Sequence, residues 1–259
     1  MLRIRLHIVR SLKMCTGVFY FLSTTLSLKG EKMNIFNSFK ALTKFERILW
    51  LSSVSVIIIS SVFSGTDIVS LSASLIGVTS LILLAKGFVS GQVLMIIFSI
   101  IYAIISYRFG YYGELLTYAG MTLPMAVISL ISWIRHPYKQ SSEVEVSKLT
   151  FKKILFIAIS SVIVTVIFYF ILKHLNTENL FPSTLSVLTS YIAAALTAFR
   201  SPYYALGYSL NHIVLIVLWI MASFEDTSYI PMAVCFTVFF VNDMYGFICW
   251  KKMEKRQQK

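Results

Sequence analysis

Eight stretches of about 20 mostly apolar residues, each long enough to cross a hydrocarbon layer, constrain this chain more than anything else in it. They lie at roughly 48–64, 67–85, 89–109, 114–134, 153–173, 183–199, 202–223 and 229–250. With 57% hydrophobic and only 13% charged residues, the chain has too little polar surface for a water-soluble domain. Backbone polar groups in lipid must be satisfied within the segment, so runs of this length are expected as helices. The expected fold class is all-α integral membrane, with about eight transmembrane helices and the lipid bilayer as the principal partner.

The basic residues test that reading. Of 23 Lys and Arg, nine precede the first span, Lys86 follows the second, five lie in 135–153, Arg200 follows the sixth, and five follow Trp250. Those 21 fall on one side of an eight-span arrangement; only Arg108 and Lys173 do not. Positive charge gathers on the cytoplasmic side, so both termini are expected there, in a cell membrane of plasma or bacterial inner type. The charges separate apolar segments and form no basic face interleaved with aromatics, so nucleic acid is not an expected partner. Residues 1–47 read as a basic cytoplasmic leader, disordered or surface-lying, with Met33 an alternative start to Met1. Cys15, Cys235 and Cys249 lack metal or redox spacing and read as packing residues.

Sliding the sequence by 117 positions places Trp133 on Trp250, Tyr102 on Trp219, Tyr112 on Tyr229 and Met121 on Val238. Spans two to four (67–134) then match spans six to eight (183–250). Each group has an odd number of spans, so the linking fifth span, with its loop in 135–173, restores the same orientation. Two parallel three-helix repeats follow, with the first span (48–64) an extra, a basic cytoplasmic tail at 251–259, and a substrate site expected between the repeats.

Polar residues inside the spans are the candidates for that site. Asn242 and Asp243 lie about 13 residues into the last span, about 20 Å deep at ~1.5 Å per residue. A carboxylate at such a depth costs on the order of 3 kcal/mol, which a cation, a hydrogen-bonded partner or a water-filled cavity must offset. The bland alternative is a bond to Ser, Thr or Tyr of a neighbouring helix. Asn211 and Trp219 share one face of the seventh span; Asn242, Tyr245 and Gly246 share one of the eighth. An amide beside an aromatic ring suits a flat ring joined to a hydroxylated sugar, and a cationic ring gains further from cation–π contact. The candidate substrate-binding set is Asn242, Asp243, Asn211, Trp219, Tyr245, Gln92, Tyr102 and Tyr208. His212 reads as a packed histidine, and Trp133, Trp250 and Tyr138 as interfacial belt aromatics. Pro124 could mark a hinge, and Ala193, Ala194 and Ala195 allow close helix approach. No catalytic constellation, metal-ligand set or cofactor motif is present, so the chain is not expected to be an enzyme.

The closing stretch "VFFVNDMYGFICWKKM" (238–253) and the middle stretch "IIYAIISYRFGYYGELLTYAGMTLPM" (100–125) resemble the nicotinamide riboside transporter family, the PnuC-type proteins. The resemblance runs over about 67–253. It implies a SWEET-like pair of three-helix bundles joined by a linking helix. It also implies facilitated diffusion of the NAD precursor nicotinamide riboside, a small-molecule substrate. By position, Asn242 would bind the ribose or amide and Asn211 would line the cavity. The sequence departs from the family in "PMAVISLISW", where Ala126 and Leu130 stand in place of a Gln and a Trp. In "SPYYALGYSLNH", Tyr203, Tyr204 and Tyr208 stand without a Trp pair. Another vitamin such as thiamine or riboflavin, or a nucleoside, is therefore the alternative substrate. A substrate-binding subunit served by a separate ATPase and a non-transport role are the other readings, and homo-oligomerisation is left open.

Overall fold

A computed structural model describes residues 35–108, 112–139, 141–177 and 179–259. Residues 1–34 of the leader expected over 1–47, with Cys15 and the alternative start, fall outside the described residues; its described part holds a short helix, Ile35–Lys40, and the start of the first long helix at Lys44. The unit treated below is 38–259.

Among the described residues, eight helices are long and apolar enough to cross a membrane. They are α1 (Lys44–Phe63), α2 (Ile68–Ala85), α3 (Val89–Arg108), α4 (Gly113–Arg135), α5 (Phe151–His174), α6 (Leu180–Ala198), α7 (Tyr204–Glu225) and α8 (Ile230–Gln257). Each falls within a few residues of its expected place except at two ends. Helix α1 begins four residues early because Thr43 and Glu46 form a capping box, Thr43 Oγ1 accepting from Glu46 N and Glu46 Oε2 from Thr43 N at 2.6 Å. Helix α8 runs on to Gln257, so most of the expected tail is helical. Its last turn carries Lys255 and Arg256, which favour a helix C-terminus, and Gln257 docks it onto the loop before α5.

Within α4, residues Tyr118–Thr122 form a π turn that ends just before Pro124. A proline ring clashes with the carbonyl one turn back, and one wider turn removes the clash without breaking the helix.

The packing follows one plan twice. Helix α2 packs on α3 and α3 on α4; α6 packs on α7 and α7 on α8. The first helix of each group meets the last of the other, α2 against α8 and α6 against α4. Helix α1 packs against α2 and α8, while α5 lies on α6 and leaves most of its length, including Phe156, Ile163 and Phe170, exposed to the surroundings. An all-round apolar helix in that position faces lipid.

Helices α2 and α6 also end alike. Gly87 (φ 69°) and Arg200 (φ 55°) both take the left-handed conformation. Their N–H groups donate to Leu84 and Thr197 carbonyls at 2.9 Å, and the next residues, Phe88 and Ser201, donate to Leu83 and Leu196. These are Schellman-type ends, natural for glycine and strained for arginine. Arg200 is held there by hydrogen bonds from Nε to the Glu145 carbonyl and from Nη1 to Ser132 Oγ. The loop before α5 ties the two ends together, Val144 N donating to the Gly87 carbonyl and Ser147 N to that of Arg200.

Trp133 and Trp250 overturn the belt expectation. Both are fully buried, with ring centroids 5.3 Å apart. The Trp133 indole N–H donates to the Thr197 carbonyl at 3.0 Å and that of Trp250 to the Leu84 carbonyl at 2.8 Å. A polar handle that a belt residue gives to water is here spent on carbonyls at helix ends, which need donors. Tyr204 stacks edgewise on Trp250 at 4.7 Å, and the three rings plug the basic end of the molecule.

Candidate functional site

At the end opposite the plug, helices α4, α6, α7 and α8, with the end of α5 and the α5–α6 turn, surround a cavity of about 540 Å³. Its walls follow from helical spacing. Glu114, Thr117 and Tyr118 share one face of α4; Ser183, Ser186 and Ser190 share one of α6; Leu215, Leu218, Trp219 and Ala222 share one of α7. Tyr229 and Phe236 close the α8 side. From Glu225 at the rim to Leu215 the cavity is about 15 Å deep at ~1.5 Å per residue.

Carboxylates and aromatic rings stand in a lining otherwise made mostly of hydroxyls, two amides and leucines. Carboxylates come from Glu114 inside and from Glu225 and Asp226 at the rim, and no Lys, Arg or His is among the described lining residues. Aromatic rings come from Tyr118, Trp219, Tyr229 and Phe236. Trp219 is 5% exposed, lies 5.5 Å from Tyr229, and its indole N–H has no hydrogen-bond partner among the described residues. A buried donor left unpaired at a cavity wall costs about 1–3 kcal/mol, which a bound acceptor recovers.

The expected site residues divide into groups. Trp219 lines the cavity. Tyr102 stands behind Tyr118, ring centroids 4.3 Å apart, and its hydroxyl bonds to Glu114. Asn211 stands behind α6, its Oδ1 accepting from Ser186 Oγ at 3.3 Å and Thr189 Oγ1 at 2.9 Å. Three expected residues are not brought to this cavity. Asn242 Nδ2 donates to Ser53 Oγ on α1 and to the Val238 carbonyl, both at 2.9 Å. Tyr245 donates to Glu46 Oε1 at 2.9 Å, beside Lys86, whose Nζ is 3.3 Å from the same oxygen. Gln92 is buried in α3 with its Nε2 unpartnered among the described residues.

Asp243 and Tyr208 belong to a deeper cluster. Asp243 Oδ2 lies 2.7 Å from His212 Nδ1, and both side chains are under a tenth exposed. Tyr208 stacks over the imidazole at 6.3 Å and 24°, while Phe236 and Phe239 approach it at 5.7 and 5.6 Å. Of the ways to offset the cost of burying Asp243, a basic side chain at ion-pair distance is the one found. That partner is the histidine read as packing, because the sequence cannot show that residues 31 apart on two helices meet.

Glu114, Tyr118 and the serine stripe of α6 were not singled out from sequence. Glu114 sits at a span end, where an acid reads as a loop charge. The stripe at 183, 186 and 190 was readable as a polar face by its spacing.

Among the described residues, no three His, Cys, Asp or Glu side chains come together as a metal site would require.

The family described as Nicotinamide mononucleotide transporter matches residues 67–252. The chain is 26% identical over 238 residues to the Nicotinamide riboside transporter PnuC of Neisseria mucosa, with 89% of each chain covered. Its fold is shared with the crystal structure of the Vitamin B3 transporter PnuC, at a TM-score of 0.72 and 24% identity, covering 84% of this chain and 94% of that one.

Proposed function

Because the chain belongs to the nicotinamide mononucleotide transporter family, we propose that it carries nicotinamide riboside across a cell membrane by facilitated diffusion with alternating access. It is a multi-pass membrane transporter and not an enzyme. The family description names a mononucleotide, the similar Neisseria protein a riboside, and the two differ by a phosphate.

The observation that carries the choice is the sign of the cavity. Phosphate is bound by Arg or Lys through charge-assisted hydrogen bonds, and the helix N-termini that reach this cavity, those of α4 and α6, stand among Glu114, Glu225 and Asp226, whose charge opposes it. Here the described lining offers carboxylates and aromatic faces and no cationic side chain. A pyridinium riboside fits that chemistry: its ring stacks on Trp219 and Tyr118, its charge faces Glu114, and its hydroxyls meet Ser183, Ser186 and Ser190. Tyr102 and Asn211 act from behind, one fixing Tyr118 and Glu114, the other fixing the α6 hydroxyls. Asn242 holds α8 to α1.

In this reading the cavity faces outward and the Trp133–Trp250–Tyr204 plug faces the cytoplasm, where both termini lie. The basic asymmetry of the loops supports that orientation. Two parallel repeats rock against each other to alternate access, supported by the doubled packing plan and the matching ends of α2 and α6.

The test is uptake of labelled riboside into proteoliposomes holding only the purified protein, without ATP or an ion gradient. Riboside should equilibrate, and mononucleotide, thiamine and riboflavin should compete weakly. Trp219→Ala should cut uptake by about tenfold, the cost of one lost base-stacking ring. Mononucleotide carried as well as riboside would overturn the choice.

A further inference from the structure

Beneath the floor of the cavity lies a slot that already holds a flat ring against a carboxylate. Phe236 lines the cavity on one side and touches the His212 imidazole on the other, so one ring's thickness separates the two. Phe239 and Tyr208 flank the same imidazole. Asp243 Oδ2 lies 2.7 Å from its Nδ1. Below that pair comes only the plug, since Gly246, one turn on from Asp243, already lies against Ala205, Ala85 and Tyr204.

We propose that this slot is a second, inner station for the cationic ring, and that His212 is a stand-in that the substrate displaces from Asp243. The inference rests on the transport reading above. A carboxylate buried this deep requires a partner at every stage of the cycle. An imidazole brings Asp243 a positive charge only by taking up a proton. A permanently charged ring of similar shape supplies a full positive charge, and the aromatic faces that flank the imidazole attract that ring more strongly. The ring therefore outcompetes the histidine, and the histidine closes the gap behind it. Carboxylates at the rim, at Glu114 and at Asp243 then mark successive stations from the open end to the plug. Asp243 gives the site its preference for a cation; His212 only keeps Asp243 partnered while the station is empty.

The test compares binding of two compounds of nearly one shape to the purified full-length protein: nicotinamide riboside, with a cationic ring, and its reduced dihydropyridine form, with a neutral one. Wild type should favour the cation. Asp243→Asn should weaken the cation by about 10- to 100-fold while moving the neutral form by about threefold at most, since only the cation loses a charge partner. His212→Ala should leave cation binding unchanged or tighter, because the competitor is gone. Equal loss for both compounds in Asp243→Asn would make the residue structural and overturn the proposal. So would a loss of cation binding in His212→Ala as large as that in Asp243→Asn. Should Asp243→Asn not fold, His212→Ala decides alone, retained cation preference supporting the inner station and lost preference refuting it. Wild type that binds neither compound overturns the transport reading and this one with it, whereas intact binding with an unchanged preference in Asp243→Asn overturns only this one.

Discussion

The two three-helix groups, α2–α4 and α6–α8, are packed alike and filled differently. Their ends match at Gly87 and Arg200, and their last helices meet at Trp133 and Trp250. Yet where the second group carries Asn211, His212, Asn242 and Asp243, the 117-residue offset finds Leu94, Met95, Met125 and Ala126 in the first. The first group contributes aromatic bulk and one carboxylate, through Tyr102, Tyr118 and Glu114. Packing small and large side chains constrains the frame in both copies. A second buried Asp would add its own desolvation cost and would need a second partner. The two groups therefore share a packing plan, while these buried polar side chains are gathered in the second.

The plug offers the sharpest break in that comparison. Trp133→Ala and Trp250→Ala should each cost about 3–5 kcal/mol, a large buried ring plus a hydrogen bond to a helix-end carbonyl. Thermal unfolding in detergent should show two losses of similar size. Clearly unequal losses would mean that the two rings are not equivalent members of one plug.

Smaller effects come from the glycines at the start of each group's middle helix. A Cβ on Gly91 would meet Leu84 N at 2.8 Å, and one on Gly207 would meet Ala193 Cα at 3.0 Å. Neither obstacle is a movable side-chain tip, so Gly91→Ala and Gly207→Ala should each destabilise by about 1–3 kcal/mol, Gly91 the more. Equal stability of Gly207→Ala and wild type, by the same melting assay, would show that the α6–α7 approach is looser than the α2–α3 one.

The smallest effect separates the two left-handed ends. Gly87→Ala should lose about 1–2 kcal/mol because φ 69° penalises any Cβ, and Met253 Cε stands 2.9 Å from where it would be. Arg200→Gly should change stability by less than about 1 kcal/mol, since relief of backbone strain offsets the lost hydrogen bonds to Glu145 and Ser132. Chemical denaturation of both variants against wild type measures the difference; a larger loss for Arg200→Gly would mean that its side-chain bonds outweigh the strain.

All eight spans were legible in the sequence because lipid leaves a backbone one local solution, and apolar length announces it. The early start of α1 was legible too, in the T-x-x-E spacing of Thr43 and Glu46, a signal easily lost beside the stronger apolar run. An aromatic facing a cavity and one facing a helix share a periodicity, and Trp219 faces the cavity. Trp133 and Trp250 were misread for the same reason: at a span end, periodicity cannot tell an interfacial ring from one turned inward onto a neighbour's carbonyl. Asn242 looked like a ligand because it is polar in an apolar run, and Ser53, its partner, lies 189 residues away.

By itself the sequence determined the spans, the basic asymmetry of the loops and the presence of polar groups that lipid would reject, all properties of residues close along the chain. Only the tertiary structure decided which of those groups face one another. It joined Asp243 to His212, gave Asn242 to α1, and gathered Glu114, Tyr118 and Trp219 around one cavity. The physical reason is that burying a polar group fixes the need for a partner but not its identity, and that identity is set by which helices pack.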